Sequence, residues 1–178
     1  MKFLVIIDMQ NDFITGSLAN PDAQKIVPGI VDKINHLGDY DTVVLTQDTH
    51  YNNYLDTPEG RMLPVKHCIK NTFGHLVHED IVNAAYQHGS SLFLEKETFG
   101  SFDLVEKLRE HRAYDIELVG TCTDICVISN ALILRAAMPS ANITVDASCC
   151  AGTTPEMHNA ALEVMKRCQI KITDGEEW

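Results

Sequence analysis

Six short, apolar, β-rich runs alternate with five amphipathic helical patterns along this chain. The strand-like runs are 3–7, 42–46, 91–95, 116–119, 143–146 and 170–173. The helical patterns are 28–37, 79–88, 102–111, 124–137 and 155–168, and Pro28 and Pro155 suit the first turn of their helices. Strands that alternate with helices build parallel sheets. We therefore predict a Rossmann-like α/β fold, a three-layer α/β/α sandwich with a six-stranded parallel sheet.

Length, charge and cysteine spacing limit the number of domains and the kinds of partner. The 178 residues suit one domain over 1–178, because no linker or repeat divides them. The net charge of −11 argues against nucleic acid and anionic membranes, so small molecules are the expected partners. The short apolar N-terminus does not resemble a signal peptide. Together with six cysteines that lack paired spacing, it predicts a cytoplasmic protein with reduced thiols.

Chemically reactive side chains follow four successive strand-like runs. Asp8 follows the first run, Asp48 and His50 the second, Lys96 the third and Cys126 the fourth. Each of them alone could have a purely structural role, as a turn residue, a solvated charge or a core residue. Ligands of open α/β sheets bind beyond the carboxyl ends of the strands, where these five side chains are expected to meet. The set therefore predicts an active site at that edge.

Cys126 is the candidate nucleophile, because a strand-like run gives way to a helical pattern just before it. We expect Cys126 in the first helical turn, where the helix dipole and Lys96 would depress the thiol pKa. Asp8 can carry the thiol proton to a leaving group. The backbone amides of Cys122 and Cys126 are candidates for an oxyanion hole. For a lone cysteine, the alternative is a small buried core residue.

A long polar segment between the second strand and the next helix offers a second site. Asp48 and His50 are separated by one residue, and His67 lies in the same segment. Two histidines and a carboxylate suit zinc, iron or manganese. Spacing alone leaves open that these are solvated loop histidines.

Five motifs of the chain resemble those of the isochorismatase-like cysteine hydrolases, and in particular their nicotinamidase-like members. They are VIIDMQNDF at 5–13, TQDTH at 46–50, HC at 67–68, KETFGSF at 96–102 and GTCTDICV at 120–127. The resemblance covers nearly the whole chain in order and spacing. It implies an isochorismatase-like fold, and members of this family are commonly dimers or tetramers, so a homo-oligomer is expected.

The same resemblance assigns roles to individual residues. Asp8, Lys96 and Cys126 are similar to the family's catalytic triad, and the peptide between Thr121 and Cys122 is similar to its cis bond. Asp48, His50 and His67 resemble the ligands of a divalent metal that holds the pyridine nitrogen, and zinc is the expected ion, with iron and manganese as alternatives. Glu59 resembles an additional carboxylate ligand of some bacterial members.

The implied activity is a metal-dependent amidase of pyridine nucleotide metabolism that converts nicotinamide to nicotinate and ammonia through a thioester. Isochorismatases proper lack the nucleophilic cysteine, so Cys126 argues against vinyl ether hydrolysis. Many nicotinamidases carry a tryptophan just before the metal histidine, whereas the only tryptophan here is Trp178. Phe13 and Phe99 are then the candidates for the wall that stacks on the substrate ring.

Two alternatives stay open at this point. A related cysteine amidase acting on an N-carbamoyl, ureido or other small amide would need a basic clamp for the substrate carboxylate and no metal. A binding module without turnover would have no reason to align a thiol, an acid and a lysine at one sheet edge.

Overall fold

A computed structural model describes residues 2–39 and 41–175, and within them it contains the six predicted strands. They are β1 (Lys2–Ile7), β2 (Thr42–Asp48), β3 (Ser91–Lys96), β4 (Asp115–Thr121), β5 (Asn142–Ala151) and β6 (Lys171–Thr173). All neighbours pair in parallel, and the strand order is β3-β2-β1-β4-β5-β6. The predicted six-stranded parallel sheet is confirmed. Trp178 lies outside the described residues.

Helices cover both faces of this sheet. They are α1 (Asn11–Ile14), α2 (Pro21–Asn35), α3 (Pro58–Met62), α4 (Glu79–His88), α5 (Phe102–Glu110), α6 (Ile128–Ala137) and α7 (Pro155–Arg167). A 3₁₀ turn at Tyr54–Asp56 and a π-helical turn at Thr123–Val127 complete the helical segments of the described chain. The sequence did not predict α1, the 3₁₀ turn or α3, because segments of three to five residues are too short to show helical periodicity.

The first long helix begins seven residues earlier than predicted. Asn20 caps α2 by accepting a hydrogen bond from the backbone N–H of Asp22 at 2.9 Å, and Pro21 occupies the first turn. Pro28, which we had placed in the first turn, lies inside the helix instead. The prediction for Pro28 was wrong because Pro21 comes earlier in the chain and directly follows Asn20, which is a good capping residue.

Alternating residues of the central strand enter two separate apolar layers. Phe3, Val5 and Ile7 pack with α5, α6 and α7, whereas Leu4 and Ile6 pack with α2 and α4. All five side chains are almost completely buried. Burial on both faces is typical of a parallel sheet covered by helices. The central strands are thereby fixed, and the residues just beyond their carboxyl ends are held in place.

The direction in which the chain adds strands reverses between β1 and β4, which are neighbours in the sheet. At such a switch point the loops diverge and leave a crevice beyond the carboxyl ends of the strands. β1 and β4 approach closely here, because a Cβ atom at Gly120 would lie 2.2 Å from the carbonyl oxygen of Ile7. Gly120 also has a φ of +116°, so a side chain at this position is excluded on both grounds.

All six cysteines lie in the described part of the chain, and each is a free thiol, as the sequence predicts. Among the helices of the described ranges, none is long and apolar enough to cross a bilayer.

A buried carboxylate in the middle of β4 makes stability depend on pH. Glu117 is 1% exposed and lies 3.1 Å from the ammonium group of Lys33, which also contacts Asp146 at 2.7 Å. Burial raises the pKa of Glu117 to about 7, although the Lys33 charge opposes the rise. The folded state therefore holds this proton at pH values where the unfolded chain, with an ordinary pKa of ~4.3, has lost it. Stability must fall as pH rises between these two values.

We expect Glu117→Gln to stabilise the protein at pH 8 by about 1–3 kcal/mol and to change little at pH 5, because glutamine resembles the protonated acid. Urea unfolding at both pH values measures the difference. The matched control is Glu163→Gln, which removes an exposed glutamate paired with Lys166. An equal effect of Glu117→Gln at the two pH values would contradict this assignment.

Candidate active site

The side chains that follow the central strands meet in the switch-point crevice. The Lys96 ammonium group lies 2.6 Å from Asp8 Oδ2, 3.7 Å from Cys126 Sγ and 3.4 Å from Asp48 Oδ1. All four residues are at most 6% exposed. Lys96, at the end of β3, thus reaches past β2 to the ends of β1 and β4. The structure brings together the five strand-end residues that the sequence selected, since His50 lies 2.9 Å from Asp48.

Asp8 is held by the neighbouring strand as well as by Lys96. The Thr46 hydroxyl donates to Asp8 Oδ1 at 2.6 Å and accepts from the backbone N–H of Asp8 at 3.2 Å. Asp8 has a φ of +49°, a left-handed conformation that non-glycine residues seldom adopt. The sharp turn after β1 therefore directs this carboxylate inward, toward the ammonium group of Lys96.

Burial and charge set the protonation of these three groups. Burial raises the pKa of Asp8, and the Lys96 charge opposes that rise. Burial also raises the pKa of the Cys126 thiol well above its ordinary value, and the Asp8 charge adds to it, while Lys96 lowers it. Burial lowers the pKa of Lys96, but the charges of Asp8, Cys126 and Asp48 outweigh it, so its pKa is raised and it stays charged.

The prediction of a depressed thiol pKa was therefore wrong. It relied on a helix start and a nearby lysine, and it left out the desolvation of a thiol that is 6% exposed beside the carboxylate of Asp8. The raised pKa favours the protonated thiol. To become a nucleophile it must transfer that proton to an adjacent base as it reacts.

The turn that carries Cys126 differs from the simple helix start that the sequence indicated. The peptide between Thr121 and Cys122 is cis, as the resemblance implies. The Cys122 carbonyl accepts from the amides of Ile125 and Val127 at 3.0 and 3.1 Å, within the π-helical turn that precedes α6. Cys122 itself is half-buried. The backbone around both cysteines thus lies directly beyond the carboxyl end of β4, where the sequence predicts an oxyanion hole.

Asn130 connects this turn to the loop that follows β3. Its amide group donates to the Cys126 carbonyl at 2.8 Å and to the Phe99 carbonyl at 3.0 Å, and its oxygen accepts from the Ser101 amide at 2.9 Å. Asn130 is completely buried. A buried side chain with three such bonds fixes both segments relative to each other.

A second cluster lies next to Lys96. Ligand atoms of Asp48, His50 and His67, all buried, lie within 4.8 Å of one another. Asp48 Oδ2 is 2.9 Å from His50 Nε2 and 3.5 Å from His67 Nε2. Glu59 Oε1 lies 3.5 and 3.8 Å from the same two nitrogens. The structure therefore places Glu59 beside the three candidate ligands that the sequence selected.

The donors of this cluster fit a divalent cation. Two imidazole nitrogens and a carboxylate oxygen are the usual zinc ligands, and they also suit iron and manganese. Among the described residues, the buried Nε2 of His50 makes no hydrogen bond of good geometry, although Asp48 Oδ2 lies 2.9 Å away, and a central cation would satisfy this nitrogen. Burial lowers the pKa of His50, but Asp48 and Glu59 outweigh it and raise that pKa to about 9. The same two carboxylates would attract a metal ion.

The two aromatic residues that were predicted to line the substrate site differ in exposure. Phe13 is 9% exposed, and its ring centroid lies 5.6 Å from that of His67. Phe99 is 44% exposed and lies in the loop that Asn130 holds. Phe13 thus adjoins the candidate metal ligands, whereas Phe99 adjoins the turn with Cys126.

Sequence reasoning missed several buried residues that support this site: Gln10, Thr46, Tyr54 and Asn130. The side chain of Gln10, for example, accepts from the backbone N–H of Asp48 and donates to its carbonyl, both at 2.8 Å. The sequence could have indicated a supporting role for Gln10 and Thr46. Each lies two residues from a strand-end acid, Asp8 or Asp48, so their polar groups could be expected near it.

Comparison with known proteins agrees with this geometry. The profile of the Isochorismatase domain matches residues 2–177. The nicotinamidase of Saccharomyces cerevisiae is 26% identical, over 98% of this chain and 100% of the relative. The crystal structure of the nicotinamidase/pyrazinamidase PncA from Bacillus subtilis has a TM-score of 0.86 at 29% identity, over 98% of this chain and 100% of the other. The pyrazinamidase of Pyrococcus horikoshii, solved in complex with zinc, has a TM-score of 0.80 at 28% identity, over 97% and 98%. The chain belongs to the isochorismatase family.

Proposed function

We propose that this protein is a metal-dependent nicotinamidase, which hydrolyses nicotinamide to nicotinate and ammonia. The observation that carries the proposal is the position of Lys96, which contacts Asp8, Cys126 and Asp48 and so joins a cysteine nucleophile to a metal-binding cluster. The similar proteins of yeast and Bacillus subtilis are described as a nicotinamidase and a nicotinamidase/pyrazinamidase. Their similarity along nearly the whole chain supports the same reaction here.

In the proposed reaction, Asp8 takes the proton of the Cys126 thiol while the sulfur attacks the amide carbonyl carbon. Lys96 remains charged and stabilises the negative charge that passes between these two groups. Backbone amides of Cys122 and Cys126 donate to the carbonyl oxygen as it becomes an oxyanion. Breakdown of the tetrahedral intermediate breaks the C–N bond, and the proton held by Asp8 leaves with ammonia.

A thioester on Cys126 remains after ammonia departs. Asp8, again ionised, accepts a proton from a water molecule that attacks the thioester carbonyl. The C–S bond then breaks, the proton held by Asp8 returns to Cys126, and the carboxylic acid gives its remaining proton to solvent and is released as nicotinate. The raised pKa of Cys126 favours this last step, because burial makes the protonated thiol the stable form in the free enzyme.

The metal would be held by Asp48, His50 and His67, with Glu59 as the additional ligand. When bound, a divalent cation supplies a Lewis acid that can hold the ring nitrogen of the substrate. Zinc is the ion that we propose first, because of the donor set and because the Pyrococcus horikoshii pyrazinamidase was solved with zinc. Phe13 and Phe99 would supply the wall that stacks on the substrate ring.

The remaining sequence predictions fit this function. We propose a single domain over 1–178, a cytoplasmic location and a small-molecule amide as the principal partner. A homo-oligomer stays a prediction that sedimentation can test. The alternative cysteine amidase for N-carbamoyl or ureido compounds would need a basic clamp and no metal, so metal content separates the two activities.

The test of the proposed function is ammonia release from nicotinamide, benzamide and an N-carbamoyl amino acid, together with the metal content of the purified protein. We expect about one divalent ion per chain and a clear preference for nicotinamide over benzamide, which lacks the ring nitrogen. Protein without stoichiometric metal that hydrolyses both amides equally well would overturn the pyridine assignment.

Removing the metal should weaken substrate binding more than it alters the nucleophile. We expect chelation or His50→Ala to raise the KM for nicotinamide at least about tenfold, because the substrate loses an orienting contact. Alkylation of Cys126 should change much less, and so should turnover of benzamide. His36→Ala, which removes an exposed histidine, is the matched control. Equal losses for nicotinamide and benzamide would contradict a role in holding the ring nitrogen.

A further inference from the structure

Tyr54 packs against both histidines of the metal-binding cluster. Its ring centroid lies 4.6 Å from that of His50 and 5.0 Å from that of His67, and the two imidazole centroids are 4.7 Å apart. Tyr54 is completely buried in its 3₁₀ turn. Three rings in mutual contact restrict one another's rotation. Displacement of the tyrosine ring would therefore allow both imidazoles to turn.

The hydroxyl of Tyr54 acts on His67 through a short series of hydrogen bonds. It donates to the Leu63 carbonyl at 3.0 Å, and the amide of Val65 donates to the same carbonyl at 2.8 Å. The Val65 carbonyl in turn accepts from His67 Nδ1 at 2.8 Å. A carbonyl can only accept, so Nδ1 carries a proton, and the other ring nitrogen, Nε2, is the one that lies nearest Asp48 and Glu59. The Tyr54 hydroxyl thus helps to hold the segment that orients this imidazole.

The backbone of Tyr54 also contacts the helix that carries Glu59. A Cβ atom at Gly60 would lie 2.0 Å from the Tyr54 carbonyl oxygen, so α3 packs directly against it. The Thr57 hydroxyl, in the capping position of α3, donates to that carbonyl at 2.7 Å. The start of α3 is therefore fixed relative to the tyrosine.

We propose that Tyr54 is a positioning residue for the metal site, one that holds His50, His67 and the helix of Glu59 in their binding arrangement. The inference rests on the proposed metal site and adds the residue on which its affinity depends. Phenylalanine could replace the ring contacts but could not hold the Leu63 carbonyl. Groups that orient metal ligands typically contribute 10–100-fold to metal affinity.

The test compares metal binding by purified wild-type protein and by the variants Tyr54→Phe and Tyr54→Leu. Zinc affinity is measured by competition with a chromophoric chelator, and the ligand field is followed in the visible spectrum of the cobalt(II)-substituted protein. We expect Tyr54→Phe to bind zinc roughly tenfold more weakly, with an altered cobalt spectrum, and Tyr54→Leu to bind more weakly still. Tyr51→Phe, which removes a hydroxyl from an exposed tyrosine, should match the wild type.

Tyr54→Phe isolates the hydroxyl, because it retains the ring and leaves the Leu63 carbonyl with the Val65 amide as a donor. A folded Tyr54→Phe protein with wild-type zinc affinity and an unchanged cobalt spectrum overturns the role of the Tyr54 hydroxyl, and the same result for Tyr54→Leu overturns the positioning role of the side chain. Failure of the wild-type protein to bind either ion overturns the metal site itself. A loss of affinity in Tyr54→Phe without a change in the unfolding midpoint of the metal-free protein supports positioning over general stability.

Discussion

Cys126→Ala is expected to lower ammonia release from nicotinamide by roughly 10⁴-fold or more, because it removes the atom that forms the thioester. The fold should survive, since alanine is smaller than cysteine and Cys126 packs among apolar residues of the α5, α6 and α7 layer. Cys126→Ser should also be severely impaired, because Asp8 is a weak base for an alcohol. Steady-state ammonia release, with unfolding curves for each variant, measures both effects.

The control for this series is Cys168→Ala, which removes an exposed cysteine and should leave turnover unchanged. Mass spectrometry after acid quenching should place the acyl adduct on Cys126, and neither on Cys122 nor on Cys168. Ammonia release by Cys126→Ala within tenfold of the wild type would be incompatible with covalent catalysis. An adduct on Cys122 would transfer the nucleophilic role to the cysteine at the cis peptide.

The shared edge of the reactive side chains could be predicted because it depends on where parallel strands end and on little else. The predicted strand-like runs end at positions 7, 46 and 95, within two residues of the ends of β1, β2 and β3, and parallel strands bring their carboxyl ends to one edge. The sequence also indicated Cys126 beyond the end of β4. No knowledge of the loops was needed for this, since the sheet alone brings these residues together.

The hydrogen-bond partners within the site were less predictable. Asn130 looked like one polar residue in an apolar helical pattern, yet it joins the Cys126 turn to the Phe99 loop. Tyr54 lay in a segment without periodicity, where nothing in the sequence distinguished a buried tyrosine from an exposed one such as Tyr51. Such contacts depend on how the long segment after β2 folds back, which is a tertiary property.

The prediction of a depressed pKa for Cys126 was wrong for the same reason, because the pKa depends on tertiary contacts. Secondary structure suggested a helix start beside a lysine, and both features favour a thiolate. The structure adds almost complete burial and an adjacent carboxylate, and both favour the thiol. The spacing of Asp8, Lys96 and Cys126 along the chain does not show how deeply the thiol is buried. The sequence therefore could not show whether the pKa of Cys126 is raised or lowered.

Asp8 raises the pKa of Cys126 and Lys96 lowers it, so variants at the two positions can be distinguished by their effects on the thiol. We expect Asp8→Asn to lower turnover by about 10²–10⁴-fold, because asparagine cannot accept the thiol proton or deliver it to the leaving group. The same change should lower the pKa of Cys126, since the Asp8 charge helps to raise it. Iodoacetamide should therefore alkylate Cys126 faster at pH 7 in Asp8→Asn than in the wild type, even though the variant hydrolyses nicotinamide far more slowly.

Lys96→Met should have the opposite effect on the thiol, because the lysine charge lowers the pKa of Cys126. Turnover and alkylation should then fall together, whereas in Asp8→Asn they move in opposite directions. Asp32→Asn, which changes an exposed aspartate, is the control for both measurements. If Asp8→Asn lost less than tenfold in turnover, Asp8 would not be the proton carrier. Slower alkylation in that variant would mean that Asp8 activates the thiol in the resting enzyme, before substrate binds.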